Sequence, residues 1–320
     1  MTALLEVQDV SVRYDTFEAV TDASLVVEAG RTMAIVGESG SGKTSLALAV
    51  ARLLPPGGEI ASGSVRVDGV DVTALRGAEL RRARGRLVGY LAQDSMAALN
   101  PVLPAGVQVA EVFETRDGAG GREARRGAVE LLGQVGIQRP GEVARMYPHE
   151  LSGGMRQRVM IAMALALRSR LLIADEPTTA LDVTVQAEIL ALAAALQIDH
   201  GVTFLWITHD MGVVAEIADT VAVMYGGRIV EQGPAAEVFG RPAHPYTQAL
   251  LDTVRGGAEA LPKEPFATIA GAPPAGVIPP GCPFHPRCPH AFEPCPDVVP
   301  ATVAVGAAHV AACHLLGAGR

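Results

Sequence analysis

No cysteine occurs in the first 281 residues of this 320-residue chain, and all four stand in the last 39. A disulfide framework over the body of the protein is therefore excluded. Long apolar runs are missing too: "MIAMALAL" and "ILALAAAL" reach about eight alanine-rich residues, against the ~20 that span a bilayer. The chain is not expected to cross a membrane alone. The start, "MTALLEVQDVSVRY", alternates like a strand and has neither the basic flank nor the apolar block of a signal peptide, which predicts a cytosolic protein with reduced thiols. There is no basic excess either. At net charge −8 no nucleic-acid partner is expected, and the arginines of "LRRARGR" read as a solvated face. What is present is a 49% apolar composition, which suits an α/β protein with one large core or two smaller ones.

Three regions follow from periodicity. Residues 1 to about 94 read as short strands between Gly turns, among them "TMAIVG", "GSVRVDGVDV" and "RLVGYLAQ". Residues 95–168 read as helices with Gly/Pro breaks, including "GREARRGAVELLGQVG" and "MRQRVMIAMALAL". From 171, "LLIADEP", "TVQAEILALAAALQ", "TFLWITHD" and "TVAVMYGG" alternate strand and helix as a parallel sheet does. A helical block is thus inserted into an α/β core. After about 240 the composition turns to Pro, Gly and His, which predicts a domain over 1–240 and a separate extension over 241–320.

"AIVGESGSGKTSLALAVARLL" sets Gly37, Gly42, Lys43 and Thr44 in the G-x-x-x-x-G-K-[ST] spacing between an apolar strand and an amphipathic helix. Backbone amides there can wrap phosphates at the positive end of a helix, with Lys43 as a point charge and the Thr44 hydroxyl as a Mg²⁺ ligand. Further along, "LLIADEP" places Asp175 and Glu176 at the end of an apolar strand, pointing to different faces. One carboxylate can orient Mg²⁺ while the other polarises water, the two tasks phosphoryl transfer needs.

"LSGGMRQR", residues 151–158, resembles the signature motif of ATP-binding-cassette ATPases, and the likeness spreads along the chain. Tyr14 matches the aromatic that stacks on adenine, Gln93 the Q-loop, Leu181 and Asp182 the D-loop, and His209 the switch histidine. The resemblance implies a P-loop fold: a RecA-like core with antiparallel β and helical subdomains, the latter at about 95–168, and a small cysteine-containing extension. It implies that ATP is bound by Tyr14, Gly37, Ser39, Gly40, Ser41, Gly42, Lys43, Thr44, Ser45 and Gln93. Ser152, Gly153 and Gly154 would meet the nucleotide of a second cassette subunit in a head-to-tail dimer, and Asp182, assigned to the same nucleotide site, would carry information across that dimer. Thr44, Gln93 and Asp175 would hold Mg²⁺, Glu176 would be the general base, and His209 would contact the γ-phosphate. Met155 departs from the glutamine most often found there and resembles the variant of peptide-importer ATPases.

The cassette also serves soluble ATPases that act on nucleic acid or ribosomes. A single cassette, no long heptad insertion and no basic arm favour a transporter. "QDSMAALNPVLPAGVQVAEVF" and "GRPAHPYTQALL" resemble the Q-loop region and extension of oligopeptide and dipeptide importers. That resemblance implies a peripheral subunit at the cytoplasmic face of the cell membrane that powers peptide import. Its partners would be two permease subunits, a second, related ATPase chain and, through the permeases, a solute-binding protein. Nickel or another small solute is the alternative cargo.

Cys282, Cys288, Cys295 and Cys313 have spacing C-x5-C-x6-C-x17-C. Disulfides are disfavoured by the cytosol, zinc lacks its usual short knuckles, and a [4Fe–4S] cluster tolerates wide spacing, so spacing leaves zinc and iron–sulfur level, beside the reading of four unrelated thiols. The resemblance favours [4Fe–4S], with His285, His290, His309 and His314 as substitute ligands. A tail this short and poor in aromatics is expected to draw folding energy from a metal centre.

Overall fold

The computed structural model describes residues 2–93, 98–179, 181–259, 269–274 and 276–317. In chain order the elements begin β1 (Ala3–Tyr14), β2 (Phe17–Glu28), β3 (Thr32–Val36), α1 (Lys43–Val50), β4 (Gly58–Val67), β5 (Val70–Asp71), α2 (Gly77–Leu87) and β6 (Val88–Leu91). Next come α3 (Ala105–Asp117), α4 (Gly121–Gln134), α5 (Pro140–Val143), α6 (Gly153–Ala166), β7 (Leu171–Asp175), α7 (Val183–His200) and β8 (Thr203–Thr208). The chain ends with α8 (Met211–Ile217), β9 (Thr220–Tyr225), β10 (Arg228–Pro234), α9 (Ala235–Gly240), α10 (Pro245–Glu259), β11 (Thr302–Ala304) and β12 (Val310–Ala312). No described helix is long and apolar enough to cross a membrane.

The chain divides into two compact units. The first takes residues 67–204 with short pieces at 1–4 and 28–30; the second takes 5–27, 31–66 and 205–320. In the first, β6 and β7 pair in parallel, Val88 against Leu171 through Leu91 against Ala174. Every residue of β7 is buried, the unbroken apolar run expected of a strand covered on both faces. Helices α3, α4 and α6 supply the helical block. Residues 77–87, read from sequence as strand territory, are instead helix α2, because the Arg-rich run lacks period-two alternation and arginine suits a helix. None of its residues is buried, as expected of a solvated charge run.

In the second unit β3 pairs in parallel with β9, Met33 against Thr220 through Val36 against Val223. Strand β10 runs antiparallel to β9, and β12 and β11 continue outward. The strand order is therefore β11-β12-β10-β9-β3-β8, beside a second sheet in which β1 lies between β2 and β4. Residues 241–317 do not form a unit of their own: two of their strands extend the sheet edge, and Phe284, Cys282 and Cys295 share a core with Ala34, Val36, Val223 and Tyr225. The core of the tail is thus shared with strands of the cassette. Phe284 meets Tyr225 of β9 and the tail's own Tyr246 of α10, with ring centroids 5.2 and 5.3 Å away, so the tail's apolar burial is shared with a neighbouring strand.

A buried carboxylate stitches the same region together. Glu231 on β10 accepts the Ala243 and His244 N–H groups at 2.8 Å each, and His309 Nε2 lies 2.7 Å from its Oε1. Nδ1 of His244 accepts the Tyr246 N–H at 3.0 Å, which caps the start of α10 just where Pro245 has no N–H to offer. Burial pushes His244 down to about 4.

Candidate nucleotide site

In the second unit, β3 delivers the chain directly into the glycine loop. A Cβ on Gly37 would stand 2.1 Å from the Met224 carbonyl oxygen, and one on Gly42 2.5 Å from that of Ala19, so the loop closes only with glycine at both places. Gly42 is left-handed and caps α1 with no side-chain acceptor, which leaves the first amides of α1 pointing out as donors. Lys43, almost wholly buried, donates to the Gly37 and Glu38 carbonyls at 2.8 and 2.9 Å and faces the Ser41 hydroxyl at 3.5 Å. Ser39, Gly40 and Thr44 are exposed, and Ser45 is half-buried. Tyr14 lies half-buried against Gly58, whose lack of a side chain makes room: a Cβ there would stand 2.6 Å from the ring. His209 follows β8 and is exposed.

The first unit holds the carboxylates. Asp175 is buried and accepts the Tyr90 hydroxyl at 2.8 Å. Glu176 takes left-handed backbone, φ 46°, so the chain turns sharply and the two adjacent carboxylates have separate surroundings. Its Oε2 accepts Gln93 Nε2 and Thr179 Oγ1, each at 3.0 Å. Gln93 and Glu176, expected in one site from sequence, are therefore in contact. Tyr90 and Thr179 were not singled out in the sequence; neither carries a spacing signal, since each acts only through its neighbour.

The signature motif opens α6. Ser152 caps it by accepting the Met155 N–H at 3.3 Å. A Cβ on Gly154 would stand 2.6 Å from Val185, and one on Gly153 3.5 Å from Leu181, so the signature lies against the D-loop and the start of α7. Asp182 caps α7 through the Val185 N–H at 2.9 Å.

Three observations about the phosphate loop had no sequence signal. Glu38, at a freely variable position of the motif, donates its N–H to the Tyr246 hydroxyl at 2.8 Å. Its carboxylate is gripped by Arg287, with Nη1 on Oε2 at 2.5 Å and Nη2 on Oε1 at 3.1 Å. Arg287 comes from the cysteine segment, and its side chain is buried apart from a few per cent.

The four cysteines are free thiols. Cys282 donates its N–H to the Cys295 carbonyl at 2.9 Å, and Gly281 admits that approach because a Cβ would meet the same oxygen at 2.4 Å. Burial pushes Cys282 up to about 11 and also raises Cys288 and Cys313, with the neighbouring thiols adding to each. Yet among the described residues no three His, Cys, Asp or Glu side chains stand ready to hold a metal ion, so the expectation of a ready-made metal centre is not supported. Three of the four histidines offered as substitute ligands are engaged elsewhere: His285 with the Cys282 carbonyl, His314 with that of Val298, and His309 with Glu231.

Comparison with known proteins decides the family. The ABC transporter model matches residues 20–179, half of the chain, and the model of the oligopeptide/dipeptide transporter C-terminal region matches 230–295. The chain belongs to the ABC transporter family. A putative peptide import ATP-binding protein from Brucella melitensis is 48% identical over 306 residues, 92% of this chain and 90% of its own length. The oligopeptide transport ATP-binding protein OppD of Salmonella typhimurium is 46% identical, over 93% and 89%. Among solved structures, the dimeric post-hydrolysis state of the ATP-binding cassette MJ0796 with ADP and Pi covers 72% of the chain at 28% identity, with TM-score 0.65. This cassette is accordingly an ATPase that binds ATP and Mg²⁺.

Proposed function

We propose that the chain is the ATP-hydrolysing subunit of a membrane transporter that imports peptides. The observation that carries this reading is the C-terminal region of oligopeptide/dipeptide transporter type, stitched into the cassette's own core through Glu231, Phe284 and Tyr246. Relatives named for peptide import or oligopeptide transport, at 46–48% identity over about nine-tenths of their length, support it. These names favour peptide transport over a soluble ATPase acting on nucleic acid or ribosomes. The subunit would sit at the cytoplasmic face of the membrane with two permeases and a second ATPase chain, and a solute-binding protein would reach it through the permeases.

In this reading Lys43 and the amides of Gly40 to Thr44 bind phosphates, and Tyr14 stacks on the base. Thr44, Gln93 and Asp175 would supply oxygen donors of the kind Mg²⁺ takes, and the ion would neutralise charge on the phosphate oxygens. Glu176 takes a proton from the water that attacks the γ-phosphorus; the bond to the β-phosphate breaks and ADP leaves. Gln93 and Thr179 hold the Glu176 carboxylate in place for that task. His209 steadies the γ-phosphate. Ser152, Gly153, Gly154 and Asp182 act on the partner's nucleotide.

As thiolates the four cysteines would be soft ligands, and their wide spacing suits a [4Fe–4S] cluster. Protein purified without oxygen should be brown and contain iron and sulfide in equal amounts; colourless protein with one zinc per chain would reject the cluster. The transport reading is tested by purification from membranes of the source cells. Permease chains and a related ATPase should accompany the subunit, while ribosomal or nucleic-acid partners would favour the soluble alternative.

A further inference from the structure

Every polar group of Glu38 is engaged. Its carbonyl takes Lys43 Nζ and the Ser41 N–H, its N–H goes to the Tyr246 hydroxyl, and its carboxylate goes to Arg287. The last two partners lie 208 and 249 residues further along the chain. Arg287 is equally committed. Nε donates to the Ala270 carbonyl at 2.8 Å, Nη1 also reaches the Tyr225 hydroxyl at 3.2 Å, and Nη2 the Ile269 carbonyl at 3.3 Å. Five donors thus meet five acceptor contacts around one buried guanidinium, which also lies over the Tyr225 ring with Cζ 5.8 Å from its centre. Such an arginine has one orientation.

Glu38 occupies the first variable position of the phosphate loop, so a carboxylate stands beside the amides that receive a highly charged anion. Left unpaired, it would repel phosphate and be free to pull the loop out of shape. We infer that Arg287 and Tyr246 are positioning residues for the nucleotide: together they neutralise and fix Glu38, so that the C-terminal segment sets the shape and charge of the phosphate loop. Bidentate geometry is required for this, because a lysine offers a point charge without the planar fork. The inference rests on the loop binding phosphate and not on what is transported.

The test measures MgATP binding by calorimetry, and KM and kcat for hydrolysis, with the full chain. Arg287→Met should weaken ATP binding and raise KM at least about tenfold, the cost of losing a charge-assisted pair, with kcat at saturating ATP within about twofold. Arg287→Lys should recover only part of the affinity. In Arg287→Met/Glu38→Gln most of the loss should be regained, since the stranded carboxylate is gone. Tyr246→Phe, which keeps the ring and removes only the acceptor for the Glu38 N–H, should raise KM several-fold and serves if Arg287→Met does not fold. Normal affinity in Arg287→Met and Tyr246→Phe, or a double variant no better than Arg287→Met, overturns the inference. Lys43→Ala separates the two ideas: if it too binds ATP normally, the phosphate-loop assignment itself is wrong.

Discussion

The phosphate loop and the cysteine loop solve the same problem, shaping a short irregular segment around a site, by opposite means. Residues 37–44 do it with backbone: glycines where a Cβ would come within 2.1–2.5 Å of neighbouring carbonyl oxygens, and amides left open at a helix start. Residues 282–295 do it with side chains, Phe284 in a shared aromatic core and Arg287 locked on Glu38. A backbone device works locally and demands particular residues at particular spacings. A side-chain device works only once distant strands have come together.

The sharpest way to set the two apart is to damage chemistry without damaging packing. Glu176→Gln keeps an acceptor for Gln93 and Thr179 but cannot take a proton, so hydrolysis should fall by about 10²–10⁴-fold while ATP binding and melting temperature stay close to wild type. Undiminished turnover would remove Glu176 from its role. The converse damage is Phe284→Ala, which opens a cavity between the C-terminal segment and β3 and β9 and should cost about 3–5 kcal/mol in denaturant unfolding. One cooperative transition should shift as a whole. An early, separate transition of the tail with the cassette unchanged would show instead that the extension folds alone.

A smaller effect tests the His244 link. Its folded value, depressed by burial to about 4 from 6.5, means the unfolded chain binds the extra proton between those pH values. Stability is therefore complete above about pH 6.5 and declines as pH falls toward 4. Between pH 7 and pH 5 about 2 kcal/mol should be lost from this group. His244→Asn retains an acceptor for the Tyr246 N–H and should flatten that part of the profile; an unchanged slope would assign the pH dependence to other groups.

Much of the nucleotide machinery was legible in advance because each part is a local device. Ser152, a residue type that suits helix starts, caps α6, and Asp182 caps α7. Gln93 and Glu176 were assigned separate tasks from the resemblance, one on Mg²⁺ and one as base; their direct contact is a finding of the structure. Helix α2 was hidden because its arginines carry no apolar period to read. Residues 94–97 of the stretch after Gln93 lie outside the described residues. The cysteine segment was misjudged in one respect: aromatic poverty counted along the tail said nothing of Tyr225, which belongs to β9 and supplies the missing partner.

By itself, then, the sequence determined the α/β class, the phosphate loop and the order of the catalytic motifs, since glycine sterics, helix caps and strand periodicity act within a few residues of one another. Only the tertiary structure decided that the C-terminal segment belongs to the sheet of the cassette and that Glu38 is held from residues 246 and 287. Such contacts depend on which side chains meet after β3, β9 and β10 have paired. No spacing along the chain records that meeting.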